Sequence, residues 1–140
     1  MTPELQAQLE QMPTKERKEL LQSYNRRQLD ELSRKLPDEP ILGIANAYRT
    51  DTGQNGILAY TSRKLIFGSW MDSSWKTWLW NEVENIRSHR PTFGPVELFL
   101  TVDSNELKFH FGLDKGDSRD WVSPMATEIT RLASRSQLGR

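Results

Sequence analysis

From Gly56 to Gly68 the chain reads Ile-Leu-Ala-Tyr-Thr, then the polar corner Ser62-Arg63-Lys64, then Leu-Ile-Phe. Two short apolar runs around a polar corner leave no room for a helix and predict an antiparallel hairpin, Gly56 to Ser62 against Lys64 to Trp70. A hairpin this apolar needs further strands to bury it. With the later run Trp80-Asn-Glu-Val-Glu-Asn-Ile-Arg87, it implies a small, closed or nearly closed β domain that binds something rather than an enzyme.

Period-two patterning supplies the other strands. Ile41 to Tyr48 reads as one, followed by a polar loop from Thr50 to Asn55. Trp75 to Trp80 and Val83 to Ser88 follow as shorter strands, and Pro91 to Pro95 is a loop. Val96, Leu98, Leu100 and Val102 then alternate with Glu97, Phe99 and Thr101. Leu107, Phe109, Phe111 and Leu113 alternate with Lys108, His110 and Gly112 beyond the Asp103-Ser104-Asn105 connection. Strands with one wholly apolar side bury one face and wet the other. Seven strands over residues 41 to 113 predict a barrel or an orthogonal sandwich.

Helices flank this region. Thr2, Pro3 and Glu4 form a helix start, with a capping hydroxyl, a proline where no amide donor is needed and a carboxylate at the positive dipole end. Leu5, Leu9 and Met12 recur at helical spacing until Pro13 interrupts, and Thr14 is placed to cap a second helix from about Lys15 to Leu36. Its stripe is Leu21, Leu29, Leu32 and Leu36, with Tyr24 beside it. That stripe is narrow and the helix marginal alone, so it lies on the following domain or pairs with a copy of itself. A last helix carries Trp121, Val122, Met125, Ile129 and Leu132 on one side. Pro124 costs it a bond or delays its start, with Ser123 as cap and Trp121 in a preceding turn. The organisation expected is an N-terminal helical extension over residues 1–37, a β domain over 38–134 and a fraying tail over 135–140.

Length and charge narrow the function. One hundred and forty residues suit a single domain with an appendage. Nineteen basic side chains against nineteen acidic ones give no net field, and residues 1–36 alone carry seven and six, so no segment presents the basic excess of a nucleic-acid binder. The absence of cysteine excludes a thiolate nucleophile and a cysteine zinc site and fits a reducing cytoplasm. No run approaches the roughly 20 apolar residues of a membrane span.

The order of seven strands and one amphipathic helix is that of the pleckstrin-homology (PH) fold. Gly56-Ile-Leu-Ala-Tyr-Thr-Ser-Arg-Lys-Leu-Ile-Phe67 resembles the hairpin of bacterial PH-like domains: a glycine, apolar residues, Thr, a basic pair, then Leu-Ile-Phe. Trp80-Asn-Glu-Val-Glu-Asn-Ile-Arg87 is similar to the next signature of that family, and the YokE-like branch is the nearest. The resemblance covers about residues 38–134. It implies a strongly bent seven-stranded sheet with the final helix, through Trp121, Met125, Ile129 and Leu132, plugging one open end; an N-terminal helical hairpin precedes it. It implies little about ligand. Eukaryotic relatives that hold phosphoinositides place basic residues around the first two strands and their loop. Here Arg49 faces Asp51, and Gly53, Gln54 and Asn55 are uncharged, which disfavours a lipid headgroup.

No catalytic or cofactor constellation stands out. His110 falls on the wet side of its strand beside Lys108 and His89 in a loop, neither with a nucleophile or a metal-ligand pair at a recognisable spacing. Glu82 and Glu84 read as a polar turn. The unusual feature is Trp70, Trp75, Trp78 and Trp80 within eleven positions. Alternation separates Trp78 and Trp80 from Trp75 and Leu79, so both sides of that strand are apolar and something must cover the second. Candidate partner-binding residues are therefore Trp75, Trp78 and Trp80, with Arg63 and Lys64 at the hairpin corner. The reading is a non-catalytic, cofactor-free interaction module with a protein partner that includes its own copies. The alternative is a peripheral membrane adaptor using Arg63, Lys64, Arg87 and Arg90.

Overall fold

The structure is a computed structural model that describes residues 3–23, 26–35, 39–69, 75–92, 94–111 and 117–138. Thr2, Tyr24, Leu36, Trp70, Gly112 and Leu113, invoked above, lie outside them. In chain order the elements are helices α1 (Pro3–Gln11), α2 (Thr14–Ser23) and α3 (Arg26–Lys35), then strands β1 (Gly43–Arg49), β2 (Gln54–Tyr60), β3 (Lys64–Ser69) and β4 (Trp75–Leu79). A 3₁₀ turn (Trp80–Glu82), β5 (Glu84–His89), β6 (Val96–Val102), β7 (Asn105–Phe111) and helix α4 (Asp117–Leu138) complete the chain.

The corner Thr61–Lys64 turns the chain as its composition requires. The Thr61 amide donates to the Lys64 carbonyl at 2.9 Å, and the Thr61 hydroxyl oxygen accepts from the Arg63 and Lys64 amides at 3.2 Å each. The β6–β7 hairpin pairs Val102 with Asn105, leaving a two-residue loop in which Asp103 and Ser104 take φ values of 50° and 66°. Two left-handed residues match the strand twist.

All seven strands join antiparallel in the order β4-β3-β2-β1-β7-β6-β5. The sheet is bent but does not close, with β4 and β5 at its two ends, and α4 packs against the 3₁₀ turn, β5 and β6. Val122, Met125, Ala126, Ile129, Leu132 and Ala133 of α4 are buried against Leu58, Leu65, Phe67, Trp80, Leu98, Leu100 and Phe109. This plug is the one expected, except that Trp121 is only partly buried and stands at the seam between the two apolar clusters.

The second cluster is the outer face of β1–β3. Ile44, Ile57, Ala59 and Ile66 meet Leu5, Leu9, Met12, Leu20, Leu29 and Leu32 of the N-terminal helices. The helices therefore lie on the sheet.

Several boundaries differ from expectation. Of the helix expected from 15 to 36, Thr14–Ser23 and Arg26–Lys35 are helical, and Leu20 rather than Leu21 is buried, Leu21 being 49% exposed. Trp80 leaves the strand for the 3₁₀ turn, β2 starts at Gln54 inside the expected loop, and His89 is a strand residue. Helix α4 begins at Asp117 and carries Pro124 inside it. The amide that proline lacks would have bonded the carbonyl of Asp120, and both residues are exposed, so water can take that acceptor. The tail expected to fray from 135 is helical through Leu138.

Polar contacts join the layers. Strand β1 pairs with β7 over Ala47–Arg49. Beyond that point the Asn46 amide donates to Glu16 Oε1 at 2.8 Å, and the Asn46 side-chain amide donates to the Glu16 carbonyl, also at 2.8 Å. The Ile44 carbonyl accepts from the Trp121 indole at 3.1 Å. Side chains from α2 and α4 thus satisfy backbone groups of β1. Glu16→Ala strands a buried amide and is expected to cost about 1–3 kcal/mol in urea unfolding, and Glu16→Gln, whose amide oxygen still accepts, less.

Candidate functional site

The Thr61–Lys64 corner is built on Trp80. Its indole nitrogen donates to the Thr61 carbonyl at 3.0 Å, its backbone amide donates to the Arg63 carbonyl at 3.0 Å, and its ring is fully buried. Trp80 therefore holds the corner from beneath. Lys64 Nζ lies 2.8 Å from Glu39 Oε2, while the Arg63 guanidinium, 77% exposed, approaches Glu39 Oε1 only to 4.0 Å. With Ser62, Leu79, Asn81 and Ser136 these residues line an open cleft of about 440 Å³. Leu79 at 41% exposure is one of the large apolar side chains on the surface.

Trp75 and Trp78 face opposite ways from β4, as alternation requires. The Trp75 ring lies across Gly68, where a Cβ would collide with it, and packs on the cluster of the N-terminal helices. Trp78 enters the interior edge to face with Phe109, centroids 6.1 Å apart, and carries the Arg49 guanidinium 5.4 Å above its ring. Arg49 forks onto Asp51 with contacts of 2.9 to 3.1 Å. Of the five candidate residues, then, Arg63, Lys64 and Trp80 come together at the corner, and Trp75 and Trp78 part to the two faces of the sheet.

Across β5, β6 and β7 the wet face carries ordered rows. In one, Glu97 stands between His89 and His110, with Lys108 Nζ at 2.9 Å, His89 Nδ1 at 3.1 Å and His110 Nε2 at 3.4 Å from its oxygens. In the next, the Phe99 ring lies between Arg87, 4.5 Å from its centroid, and Lys108, at 5.1 Å. The Lys108 hydrogen bond, followed by that from His89, draws the Glu97 carboxyl down to about 2. Sequence reasoning placed His110 and Lys108 on this side but missed their partner. The signal was present: a two-residue loop after Val102 puts position 97 opposite 110 and position 99 opposite 108. Among the described residues no group of histidines and carboxylates is arranged to hold a metal ion, and no helix is long and apolar enough to cross a membrane.

A third feature was not anticipated. Between α1 and α4 a cleft of about 250 Å³ opens beside Leu42, Tyr60, Trp121 and Met125. The Tyr60 hydroxyl donates to Glu128 Oε2 at 3.1 Å, and burial first, then the nearby carboxylate, pushes its ionisation upward.

No family model and no curated protein matches the chain. Solved structures share its fold. The C-terminal domain of an unknown protein from Leishmania infantum superposes with a TM-score of 0.53 at 14% identity, over 74% of this chain and 97% of that one. The Vps36 N-terminal PH domain gives a TM-score of 0.52 at 12% identity, over 71% and 82%. The chain has a PH-like fold, an α+β architecture.

The Glu97 cluster makes a pH prediction. Its carboxyl lies below the ordinary value of 4.5, so its contribution to stability is complete above that value and is lost as pH falls towards about 2. A carbon-13 NMR titration should find the low midpoint, and Lys108→Met should raise it.

Proposed function

We propose that this chain is a non-catalytic protein-interaction module of the bacterial, YokE-like kind, working in the cytoplasm. Its working surface is the hairpin corner with Arg63 and Lys64, together with the adjoining β4 edge at Leu79. Trp75, Trp78 and Trp80 form the frame behind it. Its partners include its own copies. Residues 1–37 are an extension docked on a PH-like domain of residues 38–134.

The observation that carries this reading is where charge is cancelled and apolar surface is not. Arg49 is matched by Asp51, Lys64 by Glu39, Arg90 by Asp120 and Lys108 by Glu97, whereas Leu79 stays exposed beside the corner. A surface so neutralised suits another protein better than a polyanion. The membrane alternative requires Arg63, Lys64, Arg87 and Arg90 to converge. Instead Lys64 and Arg90 have carboxylate partners, and Arg87 lies over Phe99 on the β5–β7 face, which disfavours that alternative.

Sedimentation velocity across the micromolar range tests self-association. Concentration-dependent association that Leu79→Asp abolishes is expected, and a strict monomer removes that part of the reading. Vesicles containing anionic lipid should leave the protein in the supernatant even at low salt; pelleting there would favour the membrane alternative.

A further inference from the structure

We propose that the cleft between α1 and α4 is a socket for one arginine or lysine side chain of a protein partner. This rests on the interaction-module reading and names the chemistry of one contact within it. Leu42, Trp121, Pro124 and Met125 give the cleft apolar walls, and both charged residues in its lining, Asp120 and Glu128, are acidic. The two differ in setting. Asp120 is exposed and meets Arg90 at 3.5 Å, whereas Glu128 is half-buried and takes the Tyr60 hydroxyl on Oε2. Arg131 acts on the same phenol through its field without lining the cleft.

The walls are fixed before anything binds. The indole of Trp121 is anchored to the Ile44 carbonyl, which holds the ring in place, and the phenol fixes the Glu128 carboxylate. At about 250 Å³ the space falls below the roughly 300 Å³ at which drug-sized ligand pockets begin, and it suits a single long side chain. An aliphatic stem along Leu42, Met125 and the Trp121 ring, ending in a cation at Glu128, satisfies both kinds of wall. An anion would meet two carboxylates, and a purely apolar group would cover the Glu128 carboxylate while offering it no hydrogen-bond donor.

The test titrates N-acetyl-arginine amide into the full chain and follows the Trp121 indole N–H resonance, with N-acetyl-citrulline amide as the neutral isostere. The expected result is a saturable shift with the arginine derivative and binding about tenfold weaker with citrulline, as the loss of a charge-assisted contact implies. Glu128→Gln, which keeps an acceptor for Tyr60, should weaken arginine binding by a similar factor. Leu42→Ser, at an exposed rim position, gives a second variant that does not depend on Glu128. No saturable shift, or equal binding of the two probes, overturns the socket. Sedimentation of Leu79→Asp is independent of either outcome, so failure of the socket is distinguishable from failure of the interaction-module reading.

Discussion

The β1–β3 sheet is apolar on both faces, and the rest of the molecule answers to that. Ala45, Leu58, Tyr60, Leu65 and Phe67 point to the interior shared with β6, β7 and α4, while Ile44, Ile57, Ala59 and Ile66 point outward. A single bent sheet wraps around only one of these sets. The outward set would be exposed in a bare seven-stranded domain, at a cost of about 1.5–3 kcal/mol for each large aliphatic side chain left in water. Helices α1–α3 are the solution within this chain, although their individual stripes are too narrow to hold them as free helices.

Docking those helices also brings side chains to the edge of β1 that pairs with β7 over Ala47–Arg49. Glu16 and Trp121 meet β1 from opposite directions, one from the helical layer and one from α4. The same two contacts tie layer, sheet and plug together, and the cleft between α1 and α4 lies where Trp121 enters. The β5–β7 face took the other route to stability, with cross-strand charge and cation–π pairing in place of burial.

Most of the β architecture was legible, because its signals are local. Alternation on β6 and β7, the polar corner after Tyr60 and the split of Trp75 from Trp78 all follow from neighbours in sequence. What escaped depends on distance or phase. Nothing near Glu16 announces that it serves an amide thirty residues on. The helical stripe drawn through Leu21 took the wrong one of two adjacent leucines, since Leu20 is the buried one. Trp80 looked like contact surface because aromatic clusters draw attention, yet its indole fastens the corner. The cleft beside Trp121 joins residues from α1, β2 and α4, which no pattern along one segment could show.

The central claim is that the helical layer and the sheet form one cooperative unit. Native-state hydrogen exchange on the full chain measures this most directly. The account predicts that the amides of Leu20 and Asn46 exchange only through global unfolding, with the same free energy as the β1–β2 ladder. Rapid exchange in α1–α3 while β1–β3 stays protected would contradict it.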